Sequence, residues 1–310
     1  MLTYSIIIPH RDIPHLLQRC LDSIPQRSDL EVIVVDDNSS PDVVDFSHFP
    51  GQERADTTVI FDKTGLGAGH ARNVGLEHAK GKWLLFADAD DLFVEGMYDI
   101  INRWAGSDAD VVFFKIRSVM SDDLTKTLTR MTYVNDYVDK YLETGDERFV
   151  RLRYPVPWGK MYSRVFVCGH HFHYDETQYS NDYYFTVCTG YYAKKIDVTD
   201  IVLYIYTMRP GSLAAMFGTK PGELAVRTAV SFRIQRMFKE LQIDIDQQRP
   251  FKWYLMELLR KDRALFRHYW KRVDEVYPSK YGAFQILSKG RGLKFKMKLS
   301  IYSLWIWFIK

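Results

Sequence analysis

Lys82-Trp83-Leu84-Leu85-Phe86-Ala87-Asp88-Ala89-Asp90-Asp91 runs five apolar residues into three carboxylates within four positions. A short apolar run bounded by a turn signal, here Lys80-Gly81-Lys82, reads as a buried strand. Ligands of open α/β sheets collect just beyond the carboxyl ends of such strands. If the backbone stays extended past Phe86, Asp88 and Asp90 point to the same side. Carboxylates held that close repel and raise a pKa unless a cation lies between them. A Mg²⁺-like ion takes one or two protein carboxylates and completes its shell with water and substrate phosphates. The competing reading makes these acids a helix start, where Asp caps well and negative charge is favoured.

Working outward, Ser5–Ile8 is a β-branched run closed by Pro9, with His10-Arg11-Asp12 as its exit loop. Ile13, Leu16, Leu17, Cys20, Leu21 and Ile24 recur at helical spacing. Leu30–Val35 is a second apolar run ending in Asp36 and Asp37. Strand, helix and strand with short links predict a parallel sheet. A third strand is expected over Thr58–Phe61, followed by Gly65-Leu66-Gly67-Ala68-Gly69 and a helix over His70–Ala79. The dinucleotide pattern G-x-G-x-x-G needs glycine where the chain has His70, and it follows the wrong strand. A loop bringing Arg72 to a phosphate is the better reading. Further on, Met97–Trp104 reads as helix, Val111–Met120 as strand and Val134–Val150 as partly helical.

Length and composition allow one large α/β domain through about residue 215 and a helical extension over 216–310. The extension holds one helix through Leu224–Leu241 and a second over Trp253–Val276. Cys20, Cys168 and Cys188 are odd in number and far apart, which fits reduced thiols in the cytoplasm. No signal peptide is evident at the start. The net charge of +3 hides a division, because Val276–Lys310 has seven basic residues and no acid, leaving −4 for Met1–Glu275. Lys294, Lys296 and Lys298 precede the apolar stretch Leu299–Ile309 with Trp305 and Trp307. Eleven residues are too few to span a bilayer, which takes about 20. As a helix they would lie in the interface with lysines on anionic head groups; a last core helix or a protein-docking helix are the alternatives.

Ser5-Ile6-Ile7-Ile8-Pro9, Val34-Val35-Asp36-Asp37-Asn38-Ser39, Ala71-Arg72-Asn73-Val74-Gly75-Leu76 and Phe86-Ala87-Asp88-Ala89-Asp90-Asp91, in that order and spacing, resemble the family 2 glycosyltransferases. The resemblance implies a GT-A fold: a Rossmann-like, mostly parallel sheet flanked by helices. It also implies a nucleotide-sugar donor (a UDP-sugar), a divalent cation (Mn²⁺ or Mg²⁺) and inversion at the anomeric carbon. Carried over, Pro9 and Arg11 sit beside base and ribose, Asp37 accepts from a base N–H, and Arg72 approaches base or diphosphate. Asp88 touches the ribose, while Asp90 ligates the metal with Asp91 in support. The exit loop His10-Arg11-Asp12 departs from the family's usual Tyr-Asn or Arg-Asn.

The second half resembles the family more loosely. Trp158-Gly159-Lys160 and the stretch with His171 and His173 fall where the acceptor side is shaped. The family's Glu-Asp pair is Asn181-Asp182 here, which makes Asp182 the general base. From the residues alone, Asp182 would equally be a surface acid or the cap of a helix from Tyr183. Arg209, before Pro210-Gly211-Ser212, matches a flexible segment that closes on the donor diphosphate, and otherwise reads as a surface residue. His170, His171 and His173 lack the partners a zinc site needs; lining the acceptor side or ordinary packing remain. Trp158 and Tyr183-Tyr184 would stack on a sugar or pack in the core. No Q-x-x-R-W run of the processive synthases occurs.

The expected function is therefore transfer of one sugar to a hydroxyl of a glycan acceptor, lipid-linked, in bacterial surface-polysaccharide synthesis. The expected place is the inner face of the cell membrane, held there peripherally by the C-terminal tail, with no nucleic-acid partner. The alternatives are a metal-dependent nucleotidyltransferase or pyrophosphohydrolase, and a non-catalytic nucleotide-sugar or glycan-binding protein.

Overall fold

The computed structural model describes residues 2–209, 222–243, 249–288 and 300. The expected domain boundary near 215, the Pro210-Gly211-Ser212 segment and the apolar stretch Leu299–Ile309 lie outside the described residues, apart from Ser300. The chain divides into two compact units, Met1–Phe217 and Gly218–Lys310.

The first unit is built on one sheet. Its strands are β1 (Tyr4–His10), β2 (Leu30–Asp37), β3 (Thr57–Asp62), β4 (Trp83–Phe86), β5 (Leu92–Phe93), β6 (Val111–Met120), β7 (Lys160–Ser163) and β8 (Ile196–Met208). They lie in the order β3-β2-β1-β4-β7-β6-β8-β5. The first four pair in parallel, whereas β7 runs antiparallel to both β4 and β6, and β5 antiparallel to β8. β6 and β8 pair in parallel, so the sheet is mixed but its longest pairings are parallel. Every residue of β1 and β4 is buried, as expected of parallel strands covered on both faces. That is why they read as unbroken apolar runs.

The helices are α1 (Pro14–Asp22), α2 (Ala68–His78), α3 (Met97–Asn102), α4 (Tyr133–Thr144), α5 (Arg148–Arg153), α6 (Arg164–Gly169) and α7 (Tyr183–Tyr192). Pro14 opens α1, where its fixed φ and missing N–H cost nothing. Gly145 stops α4 in the left-handed conformation at φ 70°, dividing the helical stretch expected over 134–150. Helix α2 packs on β1 and β2. It can do so because Gly75 faces Ile7, whose Cγ2 lies 2.4 Å from where a β-carbon would stand.

The second unit holds α8 (Glu223–Glu240), α9 (Arg249–Lys261), α10 (Arg263–Lys271) and α11 (Lys280–Ser288). Its own core gathers Phe232, Phe251, Leu255, Phe266, Trp270 and Tyr277. The single helix expected over 253–276 is in fact broken. Asp262 accepts a hydrogen bond from the Leu265 amide (2.9 Å) and caps a new helix. No helix among the described residues is long and apolar enough to cross a membrane.

Candidate active site

The carboxyl ends of β1, β2 and β4 share one rim, and the acids gather there. At the first two strands His10 and Asp36 stand in register. The His10 Nε2 accepts the Ile13 amide (3.2 Å), so its proton sits on Nδ1 and donates to Asp36 (2.8 Å). Burial alone would push the Asp36 carboxyl up. The hydrogen bonds from His10 and from the Ser39 hydroxyl and amide outweigh it and hold the carboxyl below its ordinary value.

Asp37, the next residue, is buried and turns to the other side. Its Oδ1 accepts the Gly67 amide (3.0 Å) and its Oδ2 lies 3.4 Å from Arg11 Nη1. Gly67 has φ 97°, a conformation that favours glycine, so the glycine loop is tied to β2. Pro9 is buried at the end of β1, beyond the last residue paired to β4, where the missing N–H breaks no ladder.

Beyond β4 the chain does not stay extended. The Asp91 amide donates to the Asp88 carbonyl (3.0 Å), and this turn sends the three acids to different partners. Asp88 Oδ1 accepts from Arg72 Nη2 (2.5 Å). Asp90 Oδ2 accepts from Arg209 Nε (3.0 Å). Asp91 is buried, accepting from the Thr207 amide (2.6 Å) and the Tyr204 hydroxyl (2.9 Å). The expectation that extended backbone would align Asp88 with Asp90 is therefore corrected. Asp91 faces inward, and its two oxygens hold the turn.

The turn is braced from behind. The Tyr204 hydroxyl accepts the Asp88 amide (2.9 Å) while donating to Asp91. Arg19, from α1, donates to the Asp90 carbonyl (2.7 Å) and the Ser121 carbonyl (2.6 Å). Trp158 is buried, stacked on Tyr204 (ring centroids 5.2 Å) and Tyr206 (5.6 Å). It belongs to the wall behind the acids. Burial, together with the Asp88 charge, pushes the Asp90 carboxyl up, with Arg209 opposing; burial and both neighbouring carboxylates push Asp91 well up.

The opposite wall is the segment from 172 to 182. Asn73 brackets Tyr174, donating to its carbonyl (3.0 Å) and accepting its amide (2.8 Å). Arg72 spans the gap, holding Asp88 with one nitrogen and the Asn181 side-chain oxygen with the other (3.0 Å). Its guanidinium is buried, lies 5.3 Å from the Tyr174 ring centre, and feels the charges of Asp88 and Asp182. Asp182 is the residue before α7, yet its side chain accepts no capping bond from that helix.

Lys160 lies inside rather than along this wall. It is buried on β7, donates to the Tyr154 carbonyl (2.8 Å), and sits over the Tyr154 and Phe113 rings. Burial pushes its ammonium well down, with the Asp182 charge opposing. His171 and His173 are exposed, while His170 stacks on Phe172 (5.1 Å). Among the described residues no three His, Cys, Asp or Glu side chains gather as a metal centre.

A family model described as Glycosyl transferase family 2 matches residues 5–168, more than half of the chain. The chain belongs to glycosyl transferase family 2. This family-2 chain is 22% identical over 229 residues to the glycosyltransferase EpsH of Bacillus subtilis (strain 168), a match covering 70% of the chain and 64% of EpsH. A glycosyltransferase of Haemophilus influenzae is 42% identical over 94 residues, 29% of this chain and 30% of the relative. The chain thus matches less than two thirds of the length of either relative. The crystal structure of S. aureus TarS 1-349 in complex with UDP-GlcNAc superposes with a TM-score of 0.61 at 18% identity, covering 94% of this chain and 93% of that one. That likeness identifies the fold as GT-A.

Arg19, His70 and Tyr204, which hold the walls of this candidate site, escaped sequence reading. Arg19 looks like the solvent side of α1. His70 registered only as a broken glycine pattern. Tyr204 lies on β8, whose run Ile201-Val202-Leu203-Tyr204-Ile205-Tyr206 carries a legible strand signal.

Proposed function

We propose that this family-2 protein moves one sugar from a nucleotide-sugar donor, a UDP-sugar, to a hydroxyl of a glycan acceptor, with inversion and one addition per encounter. The observation that carries the reading is Arg72. One guanidinium joins Asp88 of the acid turn to Asn181, the residue before Asp182, so a donor-side acid is tied to the segment that carries the candidate base.

Asp182 takes the proton of the attacking hydroxyl, a role worth roughly 10²–10⁴ in rate. No covalent intermediate on the protein is needed, because the base faces the sugar opposite the leaving group. Asp37 and the Gly67 loop receive the base, Pro9, Arg11 and Asp88 the ribose. Arg209, paired with Asp90 in this structure, turns to the diphosphate, and Arg72 supplies fixed positive charge beside it. Asp90, with Asp88 beside it, suits Mn²⁺ or Mg²⁺: its carboxyl is pushed up by burial and a like charge, so a cation there is favourable. When bound, the cation would neutralise the charge gathering on the departing diphosphate. The TarS complex with UDP-GlcNAc supports a uridine donor. The family's usual work in bacterial surface polysaccharides, which the resemblance implies, favours a lipid-linked acceptor at the inner face of the membrane. The basic, Trp-rich tail would hold the enzyme there.

The test is a pair of substitutions measured with UDP-sugar donors. Asp182→Asn leaves donor affinity near normal by calorimetry and lowers transfer by about 10²-fold or more. Asp90→Asn weakens the Mn²⁺-dependent part of UDP binding. Retained turnover in Asp182→Asn places the base elsewhere.

A further inference from the structure

We propose that His70 is a positioning residue, whose protonated ring clasps the donor end of the sheet to the segment that carries Asp182. The inference rests on the reading of Asp182 as base. Both ring nitrogens meet carboxylates: Nε2 lies 3.1 Å from Asp62 Oδ2 at the end of β3, and Nδ1 lies 2.9 Å from Glu176 Oε1. A neutral imidazole has one N–H and can donate to only one of them. Serving both takes the imidazolium.

The place of this ring gives the clasp its purpose. His70 stands on the first turn of α2, beside Gly69, where a β-carbon would lie 2.0 Å from the Asp175 carbonyl and 3.0 Å from Asn181 Cβ. The helix therefore touches the 175–181 backbone directly. From the same helix Asn73 also donates to Glu176 Oε1 (3.3 Å), and Arg72 holds Asn181. Asp62 in turn receives the Thr64 amide and hydroxyl, at the entrance to the glycine loop that Asp37 ties down. The ring thus bridges the loop expected to receive the nucleotide and the arm expected to present the base.

The charged groups facing His70 are Asp62 from β3, Glu176 from the arm and Asp37 from β2. The hydrogen bond that the ring donates to Glu176 and the charges of Glu176, Asp62 and Asp37 raise its pKa above the ordinary value, against partial burial. The clasp is therefore complete at lower pH and opens as pH rises through that raised pKa. On deprotonation one nitrogen becomes an acceptor facing a carboxylate, so the ring holds Asp62 or Glu176 but no longer both.

The experiment uses the full chain. His70 is titrated by NMR, and amide exchange of residues 174–182, corrected for intrinsic rates, is followed across the same pH range without substrate. Protection is expected to fall about ten-fold as the ring deprotonates, the share of one charge-assisted hydrogen bond. In His70→Gln it is low at every pH. With donor and acceptor, kcat follows the same titration in the wild type, while donor KM does not move. A ring that titrates at its ordinary value, or an arm whose exchange ignores the titration, overturns the clasp. If His70→Gln does not fold, the wild-type titration decides alone. If no donor supports transfer, the proposed function fails while the exchange result still tests the clasp.

Discussion

Replacing Gly69 by Ala sets two physical effects against each other. By helix propensity alone, Ala stabilises a helix by about 1 kcal/mol over Gly. The surroundings say the opposite. The new methyl would lie 2.0 Å from the Asp175 carbonyl oxygen, where carbon and oxygen normally keep about 3.3 Å or more. The obstacle is backbone, so no rotamer relieves it, and the arm must retreat by roughly an ångström. Overpacking of this kind costs about 1–3 kcal/mol, enough to cancel the propensity gain or reverse it. For function the displacement matters more, because Asp182 rides on the same arm, and an ångström of misplacement costs about 10² in rate. Urea unfolding is expected to show no stabilisation, and steady-state kinetics a kcat lower by one to two decades with donor affinity little changed. A variant more stable than wild type with full kcat would refute the close approach of α2 to the arm.

Tyr204→Phe removes the hydroxyl joining the Asp88 amide to the Asp91 carboxylate. It should cost about 1–3 kcal/mol for buried groups left unpaired, read as a lower urea midpoint together with weaker UDP binding. Asp36 is held below its ordinary value, so its stabilisation is present above the unfolded pKa of about 3.9 and fades as pH falls through the lower folded value. Asp36→Asn should therefore lose stability at neutral pH and show a flatter acid limb in thermal unfolding; an unchanged limb would remove His10–Asp36 as a source. Deleting 293–310 should release the enzyme from anionic vesicles in a sedimentation assay while sparing transfer to a soluble acceptor. An insoluble product would instead make the tail part of the core.

The rim of β1, β2 and β4 is legible because strands buried on both faces are written as apolar runs, and the carboxylates follow directly at the carboxyl ends of β2 and β4. The wiring of the acid turn is not legible. Asp91 meets Tyr204 and Thr207 across 113 and 116 residues, and Asp90 meets Arg209 across 119. No local pattern carries partners at such separations. Arg19 illustrates the same limit, since helical periodicity assigns it a face but cannot say that an acidic turn covers that face. The break at Asp262 is different, because an Asp followed by a new apolar period is readable cap chemistry. Asp182 lies between these cases. Its place before α7 suits a cap, and only the structure shows its side chain making none.

The bracing of the acid turn has a consequence for synthesis. Tyr204, Thr207 and Arg209 all leave the ribosome well after residue 168, where the family match ends. A nascent chain that has already made the three aspartates has nothing yet to seat Asp91, and Asp90 has no cation of its own. An interrupted translation product would then display the motifs of residues 5–91 and still leave Asp91 unseated, which ties the shape of the acid turn to completion of β8.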